Sequence, residues 1–177
     1  TLTKYAKDWA RDNNWELSYL DIGLLFLPKA VSLLGKDGVI SMMQPVTNFL
    51  FNINGFDFRQ RLFSEYKILE IVNLSTLRYS LFGSAISPSC IVTMLACLPD
   101  GEPIEYICPK KTQTREDDER ILIEPHDVNQ VSLDEALELP YIWATLMWGN
   151  HRDLSLIKKL QGYNSLAKLA EGNSPKI

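Results

Sequence analysis

The residues able to do chemistry are few, and their spacing limits what that chemistry could be. His126 and His151 could ligate a metal, but neither belongs to an HExxH or HxH pattern or has a cysteine at ligand spacing. His126 follows Pro125 in an expected loop and His151 precedes an expected helix, so both read as exposed polar residues. Cys90, Cys97 and Cys108 form an odd set without a CxxC. Cys90 and Cys97 fall on one expected strand and face opposite sides, so they cannot bridge each other. Reduced core thiols in a cytoplasmic protein are the expected reading. The carboxylates Glu116 to Glu119 are adjacent within KKTQTREDDER, the pattern of a solvated face rather than an acid–base pair. No P-loop, GxGxxG or GxSxG is present, so the residues alone define no active site.

The elements that must position these groups follow from hydrophobic spacing. The chain has 177 residues, a formal net charge of −4 and 46% hydrophobic residues, enough for one domain or one domain with a small appendage. The acidity argues against a self-sufficient nucleic-acid binder. Leu17, Leu20, Leu24, Leu27, Val31 and Leu34 mark a core-facing helix that Gly35 should stop, before a tight KDG turn. Asp21, Pro28 and Lys29 break this stretch, which falls short of a membrane span, and no signal peptide is visible.

Val39–Met43 reads as a short strand closed by Gln44-Pro45. Asp57 is expected to cap a helix from Phe58 to about Tyr66, with Phe58, Leu62 and Phe63 inward. Lys67–Leu74 and the uncharged run Ser89–Leu98 are further strands. A return through Ile104–Cys108 suggests a hairpin after the Leu98–Gly101 turn, and Ile121–Glu124 suggests an edge strand. From Ser132 the chain becomes helical: a capped SLDEALELP, an aromatic-rich PYIWATLMWG, a helix over Asp153–Gln161 and a turn at SLAKLA. The missing Met at position 1 and the polar end EGNSPKI suggest a piece of a longer protein.

The succession LLGKDGVISMMQPVTNFL, FRQRLFSEYKILEIVNLS and an aromatic turn into SCIVTMLACL resembles the C-terminal half of the catalytic domain of N6-adenine DNA methyltransferases. The nearest likeness is to the modification subunits and fused methylase–endonucleases of restriction-modification systems, over roughly Leu17 to Leu98. The stretch IWATLMWGNHRDLSLIKKLQGYNSLAKLAEG is similar to the connector that such proteins place before a target-recognition region. The resemblance implies a partial Rossmann-like α/β sheet, mixed, with the Ser89 strand reversed between parallel Val39 and Lys67 strands. Residues 1–131 would be the half-domain and 132–177 the helical connector.

The family's glycine-rich S-adenosylmethionine loop and its Asn-Pro-Pro-aromatic tetrapeptide are absent from this sequence. The expectation is therefore a chain inactive alone, with no catalytic, cofactor-binding or metal residue of its own and S-adenosylmethionine bound by the full-length protein. Enzymes that modify a base extrude it from the stack and hold it between apolar or aromatic faces. The resemblance puts Phe82 in that stacking role, with Tyr79 as the alternative and Pro45 nearby. The bland readings are that Phe82 caps the core and Pro45 ends its strand.

Lys110, Lys111 and Arg115 could touch DNA phosphate, though a solvated loop accounts for them as well. Arg59 and Arg61 should point to different sides of a helix, in solvent, with one able to face DNA. Trp143 and Trp148 could pack against a following domain or fill a local core, and packing is the favoured reading. The expected partners are DNA, a specificity or restriction subunit, no membrane, and a second copy through the open edge of the Val39 strand. A second class of reading is a non-catalytic assembly module on a degenerate methyltransferase-like fold; an RNA methyltransferase is a third.

Overall fold

The computed structural model describes residues 2–15, 21–36, 38–81, 84, 87–110, 121 and 123–164. Phe82, Lys111, Arg115, Leu17, Leu20 and the SLAKLA turn lie outside the described residues.

Two helices open the chain: α1 (Leu2–Asp12) and α2 (Ile22–Val31). The Asp21 carboxylate caps α2 by accepting the Gly23 N–H at 2.9 Å. Leu24, Leu27 and Val31 face the core as their spacing requires, and Pro28 is accommodated inside the helix. The helix ends at Val31, one turn short of Gly35. Next come β1 (Val39–Pro45), a wide turn at Thr47–Phe51, α3 (Phe56–Glu65) and β2 (Lys67–Asn73). Phe58, Leu62 and Phe63 of α3 are buried as expected. The cap is Gly55, however, and Asp57 sits in the first turn, where a negative charge favours the helix dipole.

After the short α4 (Arg78–Leu81) come β3 (Ser89–Leu95), β4 (Ile104–Ile107) and β5 (Val128–Val131), then α5 (Leu133–Glu138), α6 (Ile142–Trp148) and α7 (His151–Gln161). The five strands form one mixed sheet in the order β1-β3-β2-β4-β5. β3 runs antiparallel to both β1 and β2, so those two are parallel with the reversed strand between them, as expected. The expected β3–β4 hairpin is wrong. β4 crosses to the far side of β2 and pairs with it in parallel, with Glu70, Ile71 and Val72 opposite Glu105, Tyr106 and Ile107. A connection that short can still switch neighbours, because the β3 edge beside β2 is already occupied. The edge strand is also displaced: it is Val128–Val131, antiparallel to β4, not Ile121–Glu124.

One face of the sheet is the core. Gln44, Cys90 and Asn73 share a row there, as do Met42, Val92 and Ile71. α2 packs on β1 and α3 on β2. Trp143 of α6 is fully buried, edge-on to Phe63 at 5.7 Å and to Tyr106 at 5.1 Å between ring centroids. It fills this core rather than awaiting another domain; Trp148 is 76% exposed. Ala136, Ile142 and Leu154 join the same core. Among the described residues no helix is long and apolar enough to cross a membrane.

Candidate functional site

Because β1, β2 and β4 are mutually parallel, their carboxyl ends lie at one end of the sheet. Pro45 is the last residue of β1 and pairs with Ser89. β2 leads into the turn Ser75–Leu77 and α4, which carries Tyr79. β4 leads through Pro109 to Lys110, and the Thr76 hydroxyl donates to the Pro109 carbonyl, tying these two exits together. The fold therefore gathers Pro45, Tyr79 and Lys110 at one rim, although they are far apart in sequence. Lys110 is exposed and Tyr79 is 71% exposed. The Arg78 guanidinium lies over the Tyr79 ring at 4.2 Å from its centroid and donates to its hydroxyl.

Beneath this rim lies a polar row that the sequence reading missed. Asn73 Nδ2 donates to the Tyr106 hydroxyl at 2.7 Å, and that hydroxyl donates to the Trp143 carbonyl at 2.9 Å. Asn73 Oδ1 accepts from the Ser75 N–H at 3.0 Å and the Ser75 hydroxyl at 2.5 Å, which fixes the exit from β2. Burial holds the Tyr106 hydroxyl well above its ordinary pKa, so it stays a neutral donor. Gln44 Oε1 and Trp143 Nε1 are buried in the fold without a hydrogen-bond partner. The available signal was Gln44 and Asn73 at the ends of apolar runs, where a buried amide must find partners.

Arg59 corrects the expectation of a solvent-facing guanidinium. It is fully buried. Its Nη1 donates to the carbonyls of Phe49 and Asn52, each at 3.0 Å, so it holds the segment that follows Pro45. Burial pushes its pKa down to about 10. Arg61 is half-buried rather than free: it pairs with Glu65 at 2.7 Å and covers the Trp15 ring at 4.1 Å.

Of the groups able to make bonds, His126 stands near this rim, in the turn before β5 whose Asp127 carbonyl accepts from the Cys108 N–H at 2.8 Å. His126 is exposed near Glu124 and Asp127, at 3.4 and 3.6 Å, and His151 is exposed at the start of α7. Burial pushes the Cys90 and Cys108 thiols up to about 12, so neither is a thiolate at neutral pH. Among the described residues no group of three or more His, Cys, Asp or Glu is placed to hold a metal ion. The rim thus offers an aromatic surface, an apolar strand tip and a cation.

No family model matches the chain, and no curated protein matches it. Among solved structures, the type IIG restriction endonuclease BpuSI is similar over 71% of this chain, at 18% identity and a TM-score of 0.42. The match is weak and partial, and it spans 15% of the BpuSI chain.

Proposed function

We propose that the chain forms the target-base half of an S-adenosylmethionine-dependent DNA adenine-N6 methyltransferase of a restriction-modification system. The observation that carries this reading is the reversed β3 between parallel β1 and β2, with α4 and its Tyr79 following β2 at the rim. In this reading residues 1–131 belong to the catalytic domain and 132–177 lead toward a target-recognition region.

Phe82, or Tyr79 in its place, stacks on the extruded adenine beside Pro45, and Lys110, Lys111 and Arg115 approach the DNA phosphates. The described turns at this rim carry no glycine-rich loop, and the buried Asp127 carboxylate is engaged in capping its own turn. In this reading the site for S-adenosylmethionine belongs to the remainder of the full-length protein, where it would supply the activated methyl group. This chain's own contribution is to hold the base and exclude water from its faces.

The test is transfer of labelled methyl groups to DNA by the full-length protein. Stacking of an aromatic on a base is worth about 1–3 kcal/mol, so Phe82→Ala should lower kcat/KM by roughly 5- to 150-fold with cofactor affinity unchanged. A full-length protein that binds no cofactor removes the enzymatic reading and leaves the assembly-module one. Unchanged transfer in both Phe82→Ala and Tyr79→Ala removes the stacking role alone.

A further inference from the structure

Away from the rim, a groove of about 270 Å³ runs between α1 and α2, walled by Tyr5, Trp9, Ile22, Leu25 and Phe26 with the buried Ala6 among them. Lys29 is the one charged residue among its described lining. Tyr5 and Phe26 are 67% and 58% exposed, so the groove is open to solvent. An apolar cavity of roughly 150 Å³ takes up benzene, so this one has room for a body about twice that size.

The charge is as informative as the volume. The Lys29 ammonium sits 5.5 Å from the centroid of the Trp9 ring, part-covered by an aromatic face. Three described carboxylates of the surrounding segments are engaged elsewhere. Asp8 and Asp12 pair with Arg11, and Asp21 accepts from Gly23 N–H and from Asn48 Nδ2 at 2.6 Å. Thus an apolar trough ends at a cation that no described carboxylate neutralises. We propose that the groove binds a small amphipathic anion, its apolar body between Trp9, Leu25 and Phe26 and its carboxylate on Lys29 Nζ. This site is independent of the rim and of the function proposed for it.

Octanoate and octanol, which share the chain and differ in charge, are suitable probes. Binding to the whole chain is read by calorimetry and by the fluorescence of Trp9, with Trp9→Phe identifying its signal. Octanoate should bind several-fold more tightly than octanol, on the order of fivefold for a part-exposed ion pair. Lys29→Met, which keeps the apolar stem, should bring octanoate down to the octanol affinity and leave octanol unchanged. Ala6→Phe should fill the groove and abolish both. The proposal is overturned if neither probe saturates. It is equally overturned if Lys29→Met weakens both probes alike, or if a folded Ala6→Phe variant still binds them.

Discussion

The Tyr106 hydroxyl is the hinge of the buried polar row: it accepts from Asn73 and donates to the Trp143 carbonyl. Removing it leaves a buried amide donor and a buried carbonyl short of a partner, which costs about 1–3 kcal/mol. Tyr106→Phe should therefore lower unfolding free energy by about that amount in urea titrations, without shifting the denaturant slope. The cysteines give a second test. The folded thiol pKa values of Cys90 and Cys108 are raised by burial from 9.0 to about 12. Between these limits the folded state keeps a proton that the unfolded state has lost, so stability must fall as pH rises from about 9 toward 12. The slope is on the order of 1 kcal/mol per pH unit for each thiol. A Cys90→Ala, Cys108→Ala double variant should show a flatter alkaline limb. At pH 8 the partly exposed Cys97 should label promptly with a thiol reagent, and the two buried cysteines only after denaturation.

Arg59 does for an element what Tyr106 does for a row. By donating to Phe49 and Asn52 it fastens the wide turn after β1 to α3. Arg59→Ala removes two hydrogen bonds and leaves a cavity, a loss of roughly 2–4 kcal/mol. Hydrogen exchange should accelerate first across residues 47–52. Its burial was not legible because an arginine on a helix is ordinarily solvated; only the tertiary fold brings the Phe49 and Asn52 carbonyls to it. By contrast β1, β2 and β3 were legible, since their apolar runs are short and bounded, and so was the inward face of α3 at Phe58, Leu62 and Phe63. The partner of β4 was not, because a local turn at Gly101 looks the same whether the chain returns beside β3 or crosses to β2. Ile121 and Ile123 suggested a strand by residue type yet are exposed, while Val128–Val131 gains its place by pairing with β4 and burying Val131 in the core. Of the candidate rim, Pro45 and Tyr79 were legible as residues. Their convergence with Lys110 depends on that unread β4 crossing.

At the scale of the molecule the sheet has two unlike faces. Opposite the core, Met43, Ile91, Val72, Ile107 and Val128 line up across all five strands. Beside them runs a polar row in which Thr93 donates to Ser41 or Glu70, each at 3.1 Å. β1 stands at the sheet edge, with Val39 and Met43 57% and 49% exposed. Such an edge favours pairing with another strand. Sedimentation of the isolated chain should reveal a concentration-dependent dimer with slowly exchanging Val39–Met43 amides. A monomer whose β1 amides exchange freely would contradict that pairing. The reversed strand and the rim beside it underlie the larger proposal, that this sheet holds a DNA adenine for methylation at N6. Mass spectrometry of DNA incubated with the full-length protein and S-adenosylmethionine tests it most directly. The expected product is N6-methyladenine, reduced in the Phe82→Ala variant; DNA recovered without methylated adenine, from a protein shown to bind the cofactor, would contradict it.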